Sequence, residues 1–297
     1  MSAPATHAPE PAPQHARRLL ASSLGVAVAD YRCRAAVHPA GAEEPSATHS
    51  IVFIRRGVFR RYRGRDSLVA DANHVLFFNA AELHRYAHPL AGGDDCTVLE
   101  LPTALALALV GLQERRQEDR PQAPFRFGHA LVSLRAVRLH YEVLSLIRHG
   151  VNDLVLEEAL AELASEAVRC GYRLRGLAGK EQVEREPTPR HRDLVETVKL
   201  ALNARLATPP RLAELARELG CSPFYLSRIF SQAVGISMRR YLLGLRARMA
   251  AERLSRGAAD LTELALDLGF GDHSHFTNAF RAEWGVPPSA FRARLGR

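Results

Sequence analysis

The chain has no apolar run long enough to cross a bilayer. Its longest candidate, "ALALALVGL" at 104–112, is under half of the roughly 20 residues a spanning helix needs. The N-terminal "MSAPATHAPEPAPQHARR" lacks the apolar core of a secretory leader. Its Ala/Pro-rich composition predicts a disordered tail over 1–20. Cysteine is scarce too: Cys33, Cys96, Cys170 and Cys221 show no C-x-x-C and no zinc-ligand spacing. They read as reduced, mostly buried thiols. Together these absences predict a soluble, cytoplasmic protein with no membrane partner and no disulfide framework.

The only metal-like motif is the His-x-His of "LGFGDHSHFTNAF" (268–280). Gly269 reads as a helix stop, Asp272 as an N-cap, and Phe276, Ala279 and Phe280 as an apolar stripe at helical spacing. Residues two apart diverge by roughly 200° on a helix, so His273 and His275 cannot converge on one ion. No metal and no other cofactor is expected.

What is present is uneven charge. The net charge is +8 over 297 residues, and 17 Arg+Lys face 10 Asp+Glu from residue 190 onward. The first 189 residues hold 23 basic and 22 acidic groups. A basic C-terminal third on a neutral body points to a polyanion such as double-stranded DNA. An apolar content of 47% supports packed cores.

The periodicity changes along the chain. Residues 21–102 read as short strands: "SIVFIRRGVFRRYRG" with a turn at Arg56-Gly57, "NHVLFFNAAELHRYAH", and "DDCTVLEL" after Gly92-Gly93. Such spacing suggests an antiparallel sandwich or small barrel. Residues 103–172 read as helices, with Leu131, Leu134, Val137, Leu139, Val143 and Ile147 broadly on one face. That face either only caps the strand region or, the favoured reading, pairs two subunits into a homodimer. The charged, Gly/Pro-broken 173–190 reads as a flexible linker.

The last third contains a repeat. Leu212, Leu215 and Gly220 match Leu261, Leu264 and Gly269 at an offset of 49. Leu226, Phe230, Gly235 and Tyr241 match Phe276, Phe280, Gly285 and Phe291 at an offset of 50. Each unit reads helix, Gly-containing turn, helix, which is the helix-turn-helix pattern over 211–232 and 260–283. At about 100° per residue, Phe224, Ser227, Arg228 and Ser231 face outward or flank in the first unit. His273, Ser274, Thr277, Asn278 and Arg281 do so in the second. Small polar, basic and apolar groups of this kind can contact base edges, phosphates and thymine methyls.

These motifs, and the spacing of Gly269, Phe270, Phe276, Phe280, Gly285 and Pro288, closely resemble the AraC/XylS family of bacterial transcription regulators over about 191–295. The resemblance implies two helix-turn-helix units held apart by a long helix, here 237–257. It places base reading on Phe224, Ser227, Arg228, His273, Ser274, Thr277 and Asn278. It also implies an operator as partner, a small-molecule effector, and RNA polymerase if binding activates. More weakly, the N-terminal half resembles the cupin-like effector domain of such regulators. His49, His74, His84 and His88 lack the spacing of a cupin metal set.

The expected architecture is therefore α+β. It consists of a cupin-like β-barrel, a helical dimerisation region, and an all-α double helix-turn-helix domain over 191–297. The expected function is sequence-specific transcription regulation, not catalysis. A cupin oxygenase or isomerase fused to a DNA-binding domain is the rival, and an N-terminal half that only dimerises is a third reading.

Overall fold

A computed structural model describes residues 15–113, 121–181, 188–257 and 260–295. In the N-terminal region, β1 (His15–Ser23) and β2 (Val26–Cys33) form a hairpin. β3 (Glu44–Pro45), β4 (His49–Arg63), β5 (Asp66–Asp71), β6 (His74–Phe78), β7 (Leu83–Ala87) and β8 (Asp94–Leu101) follow. β9 (His129–Leu131) returns to the sheet after α1 (Thr103–Gly111). All pairings are antiparallel, in the order β1-β2-β8-β4-β6-β9, while β5 and β7 pair with the far half of β4. The path runs from β1 at one end to β9 at the other, so the ladders do not close into the expected barrel ring among the described residues.

β4 shows how the two layers arise. The expected turn at Arg56-Gly57 is instead a bend within one 15-residue strand. The β4–β8 register shifts between Ile54 and Arg56, and Gly57 takes φ +87°. A Cβ on Gly57 would lie 2.1 Å from the Gly93 carbonyl oxygen, so only glycine fits this crossing. Val52, Ile54, Phe59, Leu76, Phe78 and Cys96 fill the space between the layers. Ile51, Phe53, Val75 and Phe77 join the helical core on the opposite face. Covering both faces explains the unbroken apolar run in "SIVFI".

The predicted tail also changes at its end. Residues 1–14 lie outside the described part, but 15–19 pair with β2 and Arg17 makes a bidentate contact with Glu100 at 2.8 to 3.0 Å.

α2 (Leu134–His149) starts at Ser133, whose Oγ accepts from the Ala136 amide at 3.1 Å, and stops at left-handed Gly150. α3 (Asp153–Glu181) runs on into the segment expected to be a linker. Residues 182–187 of that segment lie outside the described part. Gly171 and Gly176 do not stop the helix; at Gly171, packing against Phe127 outweighs about 1 kcal/mol of propensity.

The face of α2 expected to join subunits is covered within the chain. Val137, Leu139 and Val143 are buried in one core with the sheet, α3 and the C-terminal helices, and Leu131 belongs to β9. His140 stacks on Phe53 at 4.8 Å, and Tyr141 meets Trp284 edge-on at 5.4 Å. Periodicity marked an apolar face and could not name what covers it.

The C-terminal helices are α4 (Pro189–Ala204), α5 (Leu212–Glu218), α6 (Pro223–Val234), α7 (Met238–Ser255), α8 (Leu261–Asp267), α9 (His273–Trp284) and α10 (Pro288–Leu295). α5 and α6 have their own core with α4, around Leu215, Leu226, Ile229, Phe230 and Tyr241. The core of α8–α10 (Leu264, Phe276, Phe280, Trp284, Phe291) is continuous with that of α2 and α3.

Candidate nucleic-acid interface

Both second helices begin the same way. Ser222 accepts from the Tyr225 amide at 3.2 Å ahead of Pro223, and Asp272 accepts from the His275 amide at 2.7 Å. Each satisfies an amide that the first turn leaves unpaired. Both end on a left-handed glycine, Gly235 and Gly285. The turn residue Gly269 has φ +77°, and a Cβ there would lie 2.0 Å from the Ala207 carbonyl oxygen. Arg246 of α7 holds that crossing by donating to the Leu206 and Ala207 carbonyls at 2.9 to 3.1 Å.

The side chains singled out from sequence lie away from these cores. On α6, Phe224 is 89% exposed, Arg228 is exposed, and Ser227 and Ser231 are half-buried. On α9, His273, Ser274, Asn278 and Arg281 are exposed and Thr277 is half-buried. Leu226, Ile229 and Phe230, and in turn Phe276 and Phe280, point into the cores. An almost fully exposed phenylalanine at the start of a capped helix has lost its hydrophobic stabilisation, and a partner surface would restore it. His273 is exposed at the helix tip, while His275 sits edge-on to Phe270 at 5.4 Å.

Sequence reading missed the junction between the sheet and these helices. Asp71, fully buried at the end of β5, accepts from Tyr241 Oη at 2.6 Å and Asn203 Nδ2 at 2.7 Å, and pairs with His74 at 3.0 Å. Burial alone would raise its pKa, but the bonds from His74, Tyr241 and Asn203 win and hold it at about 2. Arg248 donates to Asn73 Oδ1 at 2.9 Å. Arg256 reaches Asp95 at 2.5 Å, and Tyr141 donates to Glu252 at 3.0 Å. Apart from the local His74–Asp71 pair, these partners are 111 to 175 residues apart, so no local pattern announces them.

A cavity of about 340 Å³ opens beside this junction, lined by residues that include Arg61, Arg63, His74, Lys199 and Val234. Arg61 is nearly buried and lies 3.8 Å over the Phe78 ring. Its Nη1 donates to the Phe77 and Gly128 carbonyls, while Nε and Nη2 have no hydrogen-bond partner. His129, also in the lining, is pushed well below its ordinary pKa, first by burial and then by His74 and Lys199. Arg61 Nη2 also lies 3.7 Å from Glu82, and in the lining Arg61, Arg63, Arg192 and Lys199 outnumber Asp66 and Glu196, a balance that favours an anionic group.

A helix-turn-helix domain family matches residues 215–294. The Msm operon regulatory protein of Streptococcus mutans is 28% identical over 101 residues, 34% of this chain and 36% of its own. Regulatory protein SoxS of Salmonella typhimurium is 27% identical over 105 residues, 35% of this chain and 98% of its own. An AraC-type DNA-binding domain-containing regulator from Chromobacterium violaceum, a solved structure, is 25% identical over 37% of this chain and 94% of its own, with a TM-score of 0.32. The chain spans about a third of the length of the first relatives it matches. No described helix is long and apolar enough to cross a membrane.

Proposed function

We propose that this chain, which carries the AraC-type double helix-turn-helix domain, is a sequence-specific transcription regulator whose sheet domain answers to a small molecule. The observation that carries the reading is the doubled unit itself. Two capped helices at an offset of 50 each bury one face and leave the other polar, basic and solvent-facing. Phe224, Ser227, Arg228 and Ser231 read one segment of operator, and His273, Ser274, Thr277, Asn278 and Arg281 the next. α7 sets their separation, as a single molecule needs to reach successive major grooves.

The effector half of the proposal rests on the cavity. We assign it an anionic small molecule, because Arg61, Arg63, Arg192 and Lys199 outnumber Asp66 and Glu196 in its lining. Lys199 and Val234 belong to α4 and α6, so a ligand held by the cupin-like sheet layers would also touch the first DNA-reading unit. The proposed homodimer uses a surface other than the buried face of α2. RNA polymerase is a further partner if binding activates, and no catalytic role is proposed.

Footprinting of the full chain on the region upstream of its own gene tests the reading. A protected site is expected, with affinity falling steeply as salt rises, because phosphate neutralisation releases counterions. No protection at any salt concentration, or binding indifferent to salt, contradicts it.

A further inference from the structure

Within the sheet layers lies a cluster that the DNA-binding reading does not use. Cys33 ends β2, Asp94 begins β8, and His88 follows β7, and each is at least 95% buried. One potential ligand atom from each lies within 4.8 Å of the other two. His88 Nε2 is 2.8 Å from Asp94 Oδ1, and Cys96 Sγ is 3.2 Å from Asp94 Oδ2. We propose that Cys33, His88 and Asp94 form a binding site for one zinc ion or similar thiophilic divalent cation, with the neutral Cys96 thiol beside it.

The donor chemistry selects the metal. Thiolate and imidazole together favour zinc-like ions over magnesium or calcium, which take oxygen. Around such an ion, ligand atoms at about 2.0–2.3 Å from the metal stand about 3.3–3.8 Å apart, so closing the set takes a contraction of at most about 1.5 Å and a slight opening of the His88–Asp94 pair. One thiolate and one carboxylate balance a divalent charge, which makes the buried pair less costly than two unpaired anions. On the neighbouring residue the outcome is different: Asp95 collects Arg34, Arg56 and Arg256. Asp94 is left to His88 and the Cys96 thiol.

The surroundings also hold the ligands in place. His38 Nε2 lies 2.8 Å from His88 Nδ1, and the two residues exchange backbone hydrogen bonds at 3.1 Å. That contact fixes the imidazole so that Nε2 faces Asp94, the arrangement by which a remote partner orients a metal-binding histidine. Gly93 at φ +61° brings Asp94 against the Cys33 backbone, where a Cβ would lie 2.2 Å from the Cys33 carbonyl oxygen. The bland alternative is a neutral His–Asp hydrogen bond with two inert thiols nearby. It explains the His88–Asp94 distance but gives no reason for Cys33 to share the cluster. Residues 33, 88 and 94 come from separate strand ends, so their sequence spacing shows no metal motif.

The test uses the full-length protein, stripped with chelator under reducing conditions and titrated with Zn²⁺ and Co²⁺. One equivalent should bind, and the Co²⁺ form should show thiolate-to-cobalt charge transfer and the intense visible bands of tetrahedral geometry. Cys33→Ser and His88→Gln should abolish stoichiometric binding, His38→Ala should weaken it about 10–100-fold, and Cys221→Ser should leave it unchanged. If the ligand variants do not fold, the wild-type Co²⁺ spectrum decides alone. A spectrum without thiolate charge transfer, or equal binding by folded Cys33→Ser and wild type, overturns the assignment.

Discussion

The two helix-turn-helix units share one sequence pattern, yet they lean on the rest of the molecule in different ways. Val234 and Trp284 occupy the same position at an offset of 50, as do Tyr241 and Phe291. Val234 borders the cavity at the end of α6. Trp284 is packed among Phe280, Phe291 and Tyr141 of α2, with ring centroids at 4.6 to 5.5 Å. Tyr241 reaches across to Asp71 through its hydroxyl, whereas Phe291 makes only ring contacts in the second core. The first unit is tied to the sheet by a few polar bonds beside a space. The second is fused to α2 by aromatic packing. The repeat specifies the inside of each unit, and a handful of divergent positions decide how each is anchored.

The largest expected effect breaks that contrast directly. Trp284→Ala should cost about 3–5 kcal/mol, because a large buried ring leaves a cavity in a core shared by two regions. Val234→Ala, at the matching position, should cost only about 1–2 kcal/mol. Urea unfolding of both variants measures this, and equal losses would show that the second unit is no more firmly anchored than the first.

Next in size is the polar anchor. Asp71, held at about 2, is depressed from its ordinary 3.8, so its contribution is complete above the unfolded value. It is lost as pH falls from about 4 towards 2, and its full size is about 2 kcal/mol. The stability difference between wild type and Asp71→Asn should therefore shrink over that window. A difference that stays constant from pH 5 to 2 would falsify the assignment of the low pKa. Tyr241→Phe, which removes one buried donor, should cost about 1–3 kcal/mol without altering the second unit.

The units themselves were legible because their signals are local. Gly269, Asp272 and the Phe276/Phe280 stripe each depend on residues within one or two turns, and the helix appears where they place it. β4 was misread at Arg56-Gly57 because a glycine bend and a turn look alike in sequence, and only the approach of Gly93 separates them. The face of α2 was found, but its partners come from β4, α3, α9 and α10. The Asp71–Tyr241 and Arg256–Asp95 contacts were invisible, since a polar residue that buries itself against a distant partner carries no periodic mark.

The smallest effects concern how DNA is read. Arg281, on the last turns of α9, should act as a phosphate contact. Arg281→Ala should weaken all sequences about equally and lower the salt slope by roughly one. Ser274→Ala and Asn278→Ala remove neutral contacts and should each shift preference slightly at one position in the second segment.

The most direct measurement is a binding-site selection from random duplexes with the full chain and Arg228→Ala, at two salt concentrations. An arginine can make two bonds to one guanine, so its loss should cost about 1–3 kcal/mol on the selected site. The account predicts that preference relaxes at one base in the segment read by α6, with the segment read by α9 unchanged. Identical base preference in wild type and Arg228→Ala, or no selected sequence at all, would contradict it.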